Sequence, residues 1–185
     1  MLNVEDTAIP AVKIITPKKF GDHRGFFSET WSRNAFAEAG LDLDFVQDNQ
    51  SLSAPVGTLR GLHFQSAPFA QDKLVRVTRG RILDVAVDIR ASSPSFGKHV
   101  AVELSAENWR QLLVPIGFAH GFVTLEPDTE VLYKVTAPYA PANDHGLAFD
   151  DPALGIDWRL PLSDLTLSDK DRKHPRLAEM LRYFD

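Results

Sequence analysis

Apolar and polar residues alternate with a period of two along much of this chain, and that rhythm suits stacked antiparallel β-sheets better than any helical fold. Leu83, Val85, Val87 and Ile89 alternate with Asp84, Ala86, Asp88 and Arg90, and Val100, Val102 and Leu104 do the same against Ala101 and Glu103. Similar runs cover 12–15, 26–31, 45–52, 59–65, 74–78, 110–114, 118–125 and 129–135. Pro55-Val56-Gly57, Arg79-Gly80, Ser93-Pro94 and Pro127-Asp128 separate them as turns. Many short strands, each with one buried face, predict an all-β antiparallel sandwich or jelly roll spanning residues 1–185 as one domain. Helix is expected only at the periphery. Ser32 can cap a helix over 33–39 that Gly40 stops, and a second is expected over 175–183. The turn-rich stretch 138–167 reads as loops wrapping the sandwich.

Composition removes several classes of function. The chain has no cysteine, so disulfides, thiolate nucleophiles and thiolate-bound metals are excluded, and a cytoplasmic location is expected. Lys and Arg number 20 against 25 Asp and Glu, and the net charge of −5 argues against nucleic acid as a partner. The opening Leu2-Asn3-Val4-Glu5-Asp6 does not resemble a signal peptide. The longest apolar run, 112–125, is broken by Pro115, Gly117, His120 and Gly121, so no membrane association is expected. Net charge does not describe a site, however. Arg24, Arg60, Lys73, Arg76, Arg79, Arg81, His120 and Lys170 are enough to build a local cationic pocket for an anionic ligand.

The chemistry is concentrated in Arg60-Gly61-Leu62-His63-Phe64-Gln65, which sets a cation and an imidazole three residues apart with no serine or cysteine nucleophile beside them. Histidine is the side chain best suited to taking and returning protons near neutral pH. Strict alternation would send Arg60 and His63 to opposite faces, and a bulge at Gly61 is the device that could bring them together. Gln65, two residues on from His63, is a poor transition-metal ligand, and His63 with His120 makes too small a set for a metal. Tyr133 lies in an apolar run, and Ser168-Asp169-Lys170-Asp171 offers two aspartates, either of which could orient the histidine. An imidazole base, a carboxylate and a phenol form a set for proton abstraction and return, which points to epimerisation or isomerisation.

Six blocks, in order along nearly the whole chain, carry a resemblance. They are Asp22-His23-Arg24-Gly25-Phe26-Phe27-Ser28-Glu29, Phe45-Val46-Gln47-Asp48-Asn49-Gln50-Ser51, Leu59 to Gln65, Gly117-Phe118-Ala119-His120-Gly121-Phe122, Tyr133, and Leu167-Ser168-Asp169-Lys170-Asp171. Together they closely resemble the dTDP-4-dehydrorhamnose 3,5-epimerase family. The resemblance implies a cupin-type jelly roll, no metal and no cofactor, and a homodimer exchanging N-terminal strands. It implies a dTDP-4-keto-6-deoxy-glucose substrate inverted at C3 and C5, with His63 as base, Asp171 as its partner, Tyr133 as acid and Lys73 beside the C4 oxygen. Arg24, Glu29, Gln47, Asn49, Arg60, His120, Asp144 and Lys170 would hold the sugar nucleotide, Arg24 and Glu29 reaching in from the second subunit. Tyr139 or Phe26 would stack on thymine. Position 144 is Asp where the family commonly carries Glu, which shortens its reach. Relatives that invert C3 alone, or isomerise a related keto sugar, share much of this set. A non-catalytic sugar-nucleotide binding module would keep Arg24 and Arg60 but need not retain His63, Asp171 and Tyr133 together, so their joint presence argues against it.

Overall fold

The computed structural model describes residues 2–185. Its strands are β1 (Asn3–Asp6), β2 (Lys13–Thr16), β3 (Phe20–Asp22), β4 (Gly25–Phe27), β5 (Gln47–Ser53), β6 (Leu59–Gln65), β7 (Lys73–Arg79), β8 (Arg81–Asp88), β9 (His99–Ser105), β10 (Gln111–Val114), β11 (Phe118–Thr124), β12 (Thr129–Val135) and β13 (Asp144–Gly146), with one helix, α1 (Arg33–Glu38). A six-stranded sheet in the order β1-β2-β10-β7-β12-β5 faces a five-stranded sheet in the order β13-β6-β11-β8-β9. All the pairings within them are antiparallel. This is the jelly-roll sandwich expected. Among the described residues, no helix is long and apolar enough to cross a membrane.

Period-two geometry sends successive side chains to opposite faces, so each strand feeds two layers. Val75, Val77, Ile82, Ala86, Val100, Val102, Leu104, Phe118, Phe122 and Val131 meet between the sheets. The alternate residues Leu83, Val85, Val87 and Val123 leave the other face of the five-stranded sheet, where Leu147, Leu154, Trp158 and Leu165 cover them. The turn-rich stretch 138–167 therefore wraps the sandwich as expected and builds a second core there. Burying each such side chain is worth ~1.5–3 kcal/mol, ample to order an irregular strip. On the far side, Phe36 of α1 seals Ile15, Leu74 and Leu113 of the six-stranded sheet.

Several local expectations need correction. Residues 175–183 form turns instead of a helix. Leu177, Met180, Tyr183 and Phe184 all pack on the second core, but the Pro175 carbonyl accepts from Ala148 N and Leu177 N donates to Asp151 Oδ2, so bonds to the wrapping strip replace helical ones. The run 26–31 is a strand only through Phe27. Beyond it, Ser28 Oγ accepts from Trp109 Nε1 and the Thr30 carbonyl from Gln111 Nε2, so side chains replace a ladder. Asp84 and Asp88 were expected to alternate outward, yet both are fully buried because β8 is covered on both faces. Strands β1, β3 and β13 were not anticipated. The helix at Ser32 is present: Ser32 Oγ accepts from Ala35 N, and Gly40 takes a left-handed φ of +80° just past its end.

Candidate active site

One end of the space between the sheets is lined by polar residues in place of Val and Phe. Lys73 shares the inner face of β7 with Val75 and Val77, and Tyr133 shares that of β12 with Val131. From β5, Gln47 and Asn49 point the same way, and Gln47 Nε2 donates to Asn49 Oδ1 at 2.8 Å. Across the gap stand His63 and Gln65 of β6. These residues, with Phe64, Gln71, Tyr139, Asp144 and Lys170, enclose a cavity of about 340 Å³. It opens here because β5 is an edge strand and β6 is followed only by the three-residue β13.

The bulge anticipated at Gly61 is present. His120 of β11 pairs with His63 and Phe122 with Arg60, so β6 carries one more residue than β11 between those pairs. Leu59, Leu62 and Phe64 consequently share the outer core, which leaves Arg60 and His63 together on the inner face. Gly61 has φ +128°, and a Cβ there would lie 2.6 Å from Gly121 Cα and 2.8 Å from the His120 carbonyl oxygen. Only glycine fits.

His63 Nε2 donates to Asp171 Oδ1 at 2.5 Å, and Asp171 is 4 % exposed in the single turn Asp171–Lys173. Asp169, the other carboxylate in that block, is exposed. The Asp171 contact fixes the tautomer and leaves Nδ1 as the basic nitrogen. Burial lowers the pKa of His63, and Lys73 and His174 push the same way against the pull of Asp171. The resting ring is thus neutral. Burial opposes ionisation of Asp171, but the neighbouring His174 and His63 imidazoles hold it well below the usual carboxylate range. Burial also brings Lys73 down to about 8, with Asp144 and Asp84 pulling back. Its Nζ donates to the His63 carbonyl at 3.2 Å, so the ammonium sits beside that histidine. Burial raises the pKa of Tyr133 against the field of Arg60, keeping it a protonated phenol at neutral pH. One cavity therefore holds a neutral imidazole, a protonated phenol and an ammonium.

At the rim, Asp144 Oδ2 accepts from Lys170 Nζ at 2.5 Å and from the Tyr139 hydroxyl at 3.0 Å, while Tyr139 itself is 57 % exposed. Arg60 is tied to Ser53 Oγ and the Leu52 carbonyl. His120 is buried against Asp84, Nε2 to Oδ1 at 2.6 Å, one strand over from His63. Arg24, Phe26 and Glu29 are absent from the cavity wall. Arg24 and Phe26 lie in or beside the exposed β3–β4 hairpin, where Arg24 pairs with Asp22, and Glu29 follows it.

Other contributors escaped the sequence reading. Gln65 accepts from Ala140 N and donates to the Phe69 and Pro138 carbonyls, pinning the loop that carries Tyr139. Asp84 was visible only as one polar beat of an alternating strand, and nothing in the local pattern singled out His174. Among the described residues, His63, Asp171 and His174 have donor atoms within 4.8 Å of one another. Their 2.5 Å nitrogen–oxygen contact is a hydrogen-bond distance. Two ligands on one zinc ion, at bonds of ~2.0–2.2 Å, stand farther apart.

The comparisons with known proteins agree with this chemistry. The family model for dTDP-4-dehydrorhamnose 3,5-epimerase matches residues 6–179. A dTDP-4-dehydrorhamnose 3,5-epimerase from Sinorhizobium fredii is 55% identical over 176 residues, covering 95% of this chain and 90% of its own. The crystal structure of dTDP-6-deoxy-D-glucose-3,5-epimerase from Legionella pneumophila, in complex with dTDP-4-keto-L-rhamnose, superposes with a TM-score of 0.93 at 45% identity, over 98% of this chain and 95% of that one. A 3'-monoepimerase from Streptomyces bikiniensis, in complex with dTDP-quinovose, superposes with a TM-score of 0.86 at 34% identity, over 94% of this chain and 87% of that one. With a family match across most of its length and relatives well above 30% identity, this chain belongs to the dTDP-4-dehydrorhamnose 3,5-epimerase family.

Proposed function

We propose that this protein inverts C3 and C5 of dTDP-4-keto-6-deoxy-D-glucose, giving dTDP-4-keto-L-rhamnose. The observation that carries the reading is the shared cavity in which His63, backed by Asp171, and the phenol of Tyr133 meet around the ammonium of Lys73. Hydrogens on carbons beside the C4 ketone are acidic because the electron pair left by the proton moves onto the C4 oxygen. His63 Nδ1 takes the proton, the C–H pair becomes the enolate double bond, and negative charge builds on that oxygen. A preorganised ammonium aimed there stabilises the developing charge, often the largest single contribution to catalysis. Tyr133 then protonates the carbon from the other face, the C=O re-forms, and the centre is inverted. Asp171 keeps the His63 tautomer correct and supports the imidazolium.

Lys170 at the cavity and Arg60 beside it supply cations for the diphosphate, Gln47, Asn49 and Asp144 supply polar contacts, His120 backs the site from β11, and the exposed ring of Tyr139 offers thymine a stacking face. Arg24, Phe26 and Glu29 act from a second copy of the chain. Phe20, Phe26 and Phe27 of the hairpin are 53%, 57% and 70% exposed, an apolar surface suited to docking on a neighbouring subunit by strand exchange.

The test is proton NMR of the keto sugar nucleotide incubated with the protein in D2O. Deuterium at both C3 and C5 supports the double epimerase. Deuterium at C3 alone moves the assignment to a monoepimerase, the activity named for the Streptomyces bikiniensis relative. Binding without deuterium incorporation refutes both.

A further inference from the structure

Asp171 carries a second imidazole that the mechanism above does not use. His174 Nε2 stands 3.5 Å from the same Oδ1 that His63 engages at 2.5 Å. The two rings meet edge-on, their centroids 5.5 Å apart. The His174 side chain is 9 % exposed, and its Nε2 makes no hydrogen bond of ordinary length. Its ring occupies the space a Cβ would fill at Gly146, so glycine on β13 is what lets it approach. A buried polar group left unpaired costs ~1–3 kcal/mol, and such groups in native proteins generally have a reason.

We propose that His174 is a positioning residue for proton transfer: its Nε2–H is the second donor to the Asp171 carboxylate and limits how tightly His63 holds the abstracted proton. The inference rests on the epimerase reading. A carboxylate with one imidazole partner gives that partner all its charge and makes it a stronger base. An epimerase base must also release its proton, and a base is most effective when its pKa lies near the working pH. Dividing the Asp171 charge between two donors moves His63 in that direction. Lys73 on β7 acts on His63 with the same sign. Of the other polar groups around the cavity, Asp144 pairs with Lys170 and Asp84 with His120, while Arg60 bonds Ser53 Oγ and the Leu52 carbonyl. On the outer side, Lys173, Glu179, His145 and Tyr183 line the adjoining cavity beside His174. Of these, His145 and Tyr183 are stacked on one another.

The test is NMR titration of the His63 ring in the wild-type protein and in His174→Ala, with the His63 signal identified by its loss in His63→Asn. The His63 midpoint should rise by about half a unit to one unit in His174→Ala. The acid limb of kcat/KM for deuterium incorporation should move with it, so that activity falls about three- to tenfold at pH well below the midpoint and stays level at pH 8.5. His174→Gln, whose amide can still donate, should recover part of the shift, and it serves also if the alanine variant does not fold. A lowered melting temperature with an unchanged His63 midpoint would mean that His174 only packs, and the proposal would be wrong. A downward shift would equally overturn it. Failure of the wild-type protein to incorporate deuterium would sink the epimerase reading instead, while the titration still judges the coupling of His174 to His63.

Discussion

Replacing Lys73 with Met should make the protein more stable and much less active, and the size of the first effect follows from burial. Folding lowers the Lys73 pKa from 10.5 to about 8, a difference of 10.5 − 8 = 2.5 units, and at ~1.36 kcal/mol per unit the buried ammonium costs about 3 kcal/mol. Met keeps the stem and removes the charge. It also removes the hydrogen bond to the His63 carbonyl, worth about 1 kcal/mol. The net gain at pH 7 is then about 2 kcal/mol, or ~4–8 °C in melting temperature for a chain of this length. The sign of the pH dependence is fixed. Below pH 8 both folded and unfolded states hold the proton and the cost is complete. Between 8 and 10.5 the folded state has released it while the unfolded state has not, so wild-type stability recovers as pH rises. Thermal melts of both proteins at pH 7 and pH 10 read this directly: the gap should be wide at the first and close to zero at the second. A variant less stable than wild type at pH 7, or a gap indifferent to pH, would show that the lysine is not held charged against burial. Full turnover by the variant would remove the ammonium from the chemistry.

The remaining substitutions probe separate parts of the site. His63→Asn should cut deuterium incorporation by a factor of about 10²–10⁴ while dTDP affinity, measured by calorimetry, stays within a few-fold, and a wild-type rate would exclude His63 as the base. Tyr133→Phe should spare exchange at the carbon while product formation falls; equal loss of both would mean that abstraction and return are not divided between His63 and Tyr133. Gly61→Ala forces a Cβ to within 2.6 Å of Gly121 Cα at a left-handed φ, and should lower stability by about 3 kcal/mol or more in denaturant titration. An unperturbed midpoint would show that the β6–β11 contact can spread.

Alternation made the long strands legible because it records which residues share a face, and β5 through β12 lie close to where the pattern put them. It does not record whether the second face is covered. That is why Asp84 and Asp88 read as outward residues when His120 and Arg90 in fact receive them inside the fold. Three- and four-residue strands such as β3, β13 and β1 are too short to show a period. The site was legible in its residue types, and Gly61 announced the bulge that unites Arg60 with His63. The choice between Asp169 and Asp171 was not legible, because a single turn settles which of two nearby carboxylates faces the ring. His174 lay beyond reach because, although Asp171 is only three residues away, the ring it meets comes from β6 and the glycine that admits it from β13, and no local spacing reports on those.

His63 and the carboxylate it bonds are 108 residues apart in the chain, and that distance ties the site to the order of folding. Closing a loop of that length costs about 4 kcal/mol in chain entropy, more than one charge-assisted hydrogen bond returns. The closure must be driven by the apolar strip laid over the five-stranded sheet, Leu147, Leu154, Trp158 and Leu165 above all. A chain whose two sheets had already paired, but whose strip was still loose, would own a cavity and an imidazole without the group that orients it. Catalysis is then among the last properties the polypeptide acquires as it matures. Heat or denaturant that peels the strip away should silence the enzyme while the sandwich beneath still stands.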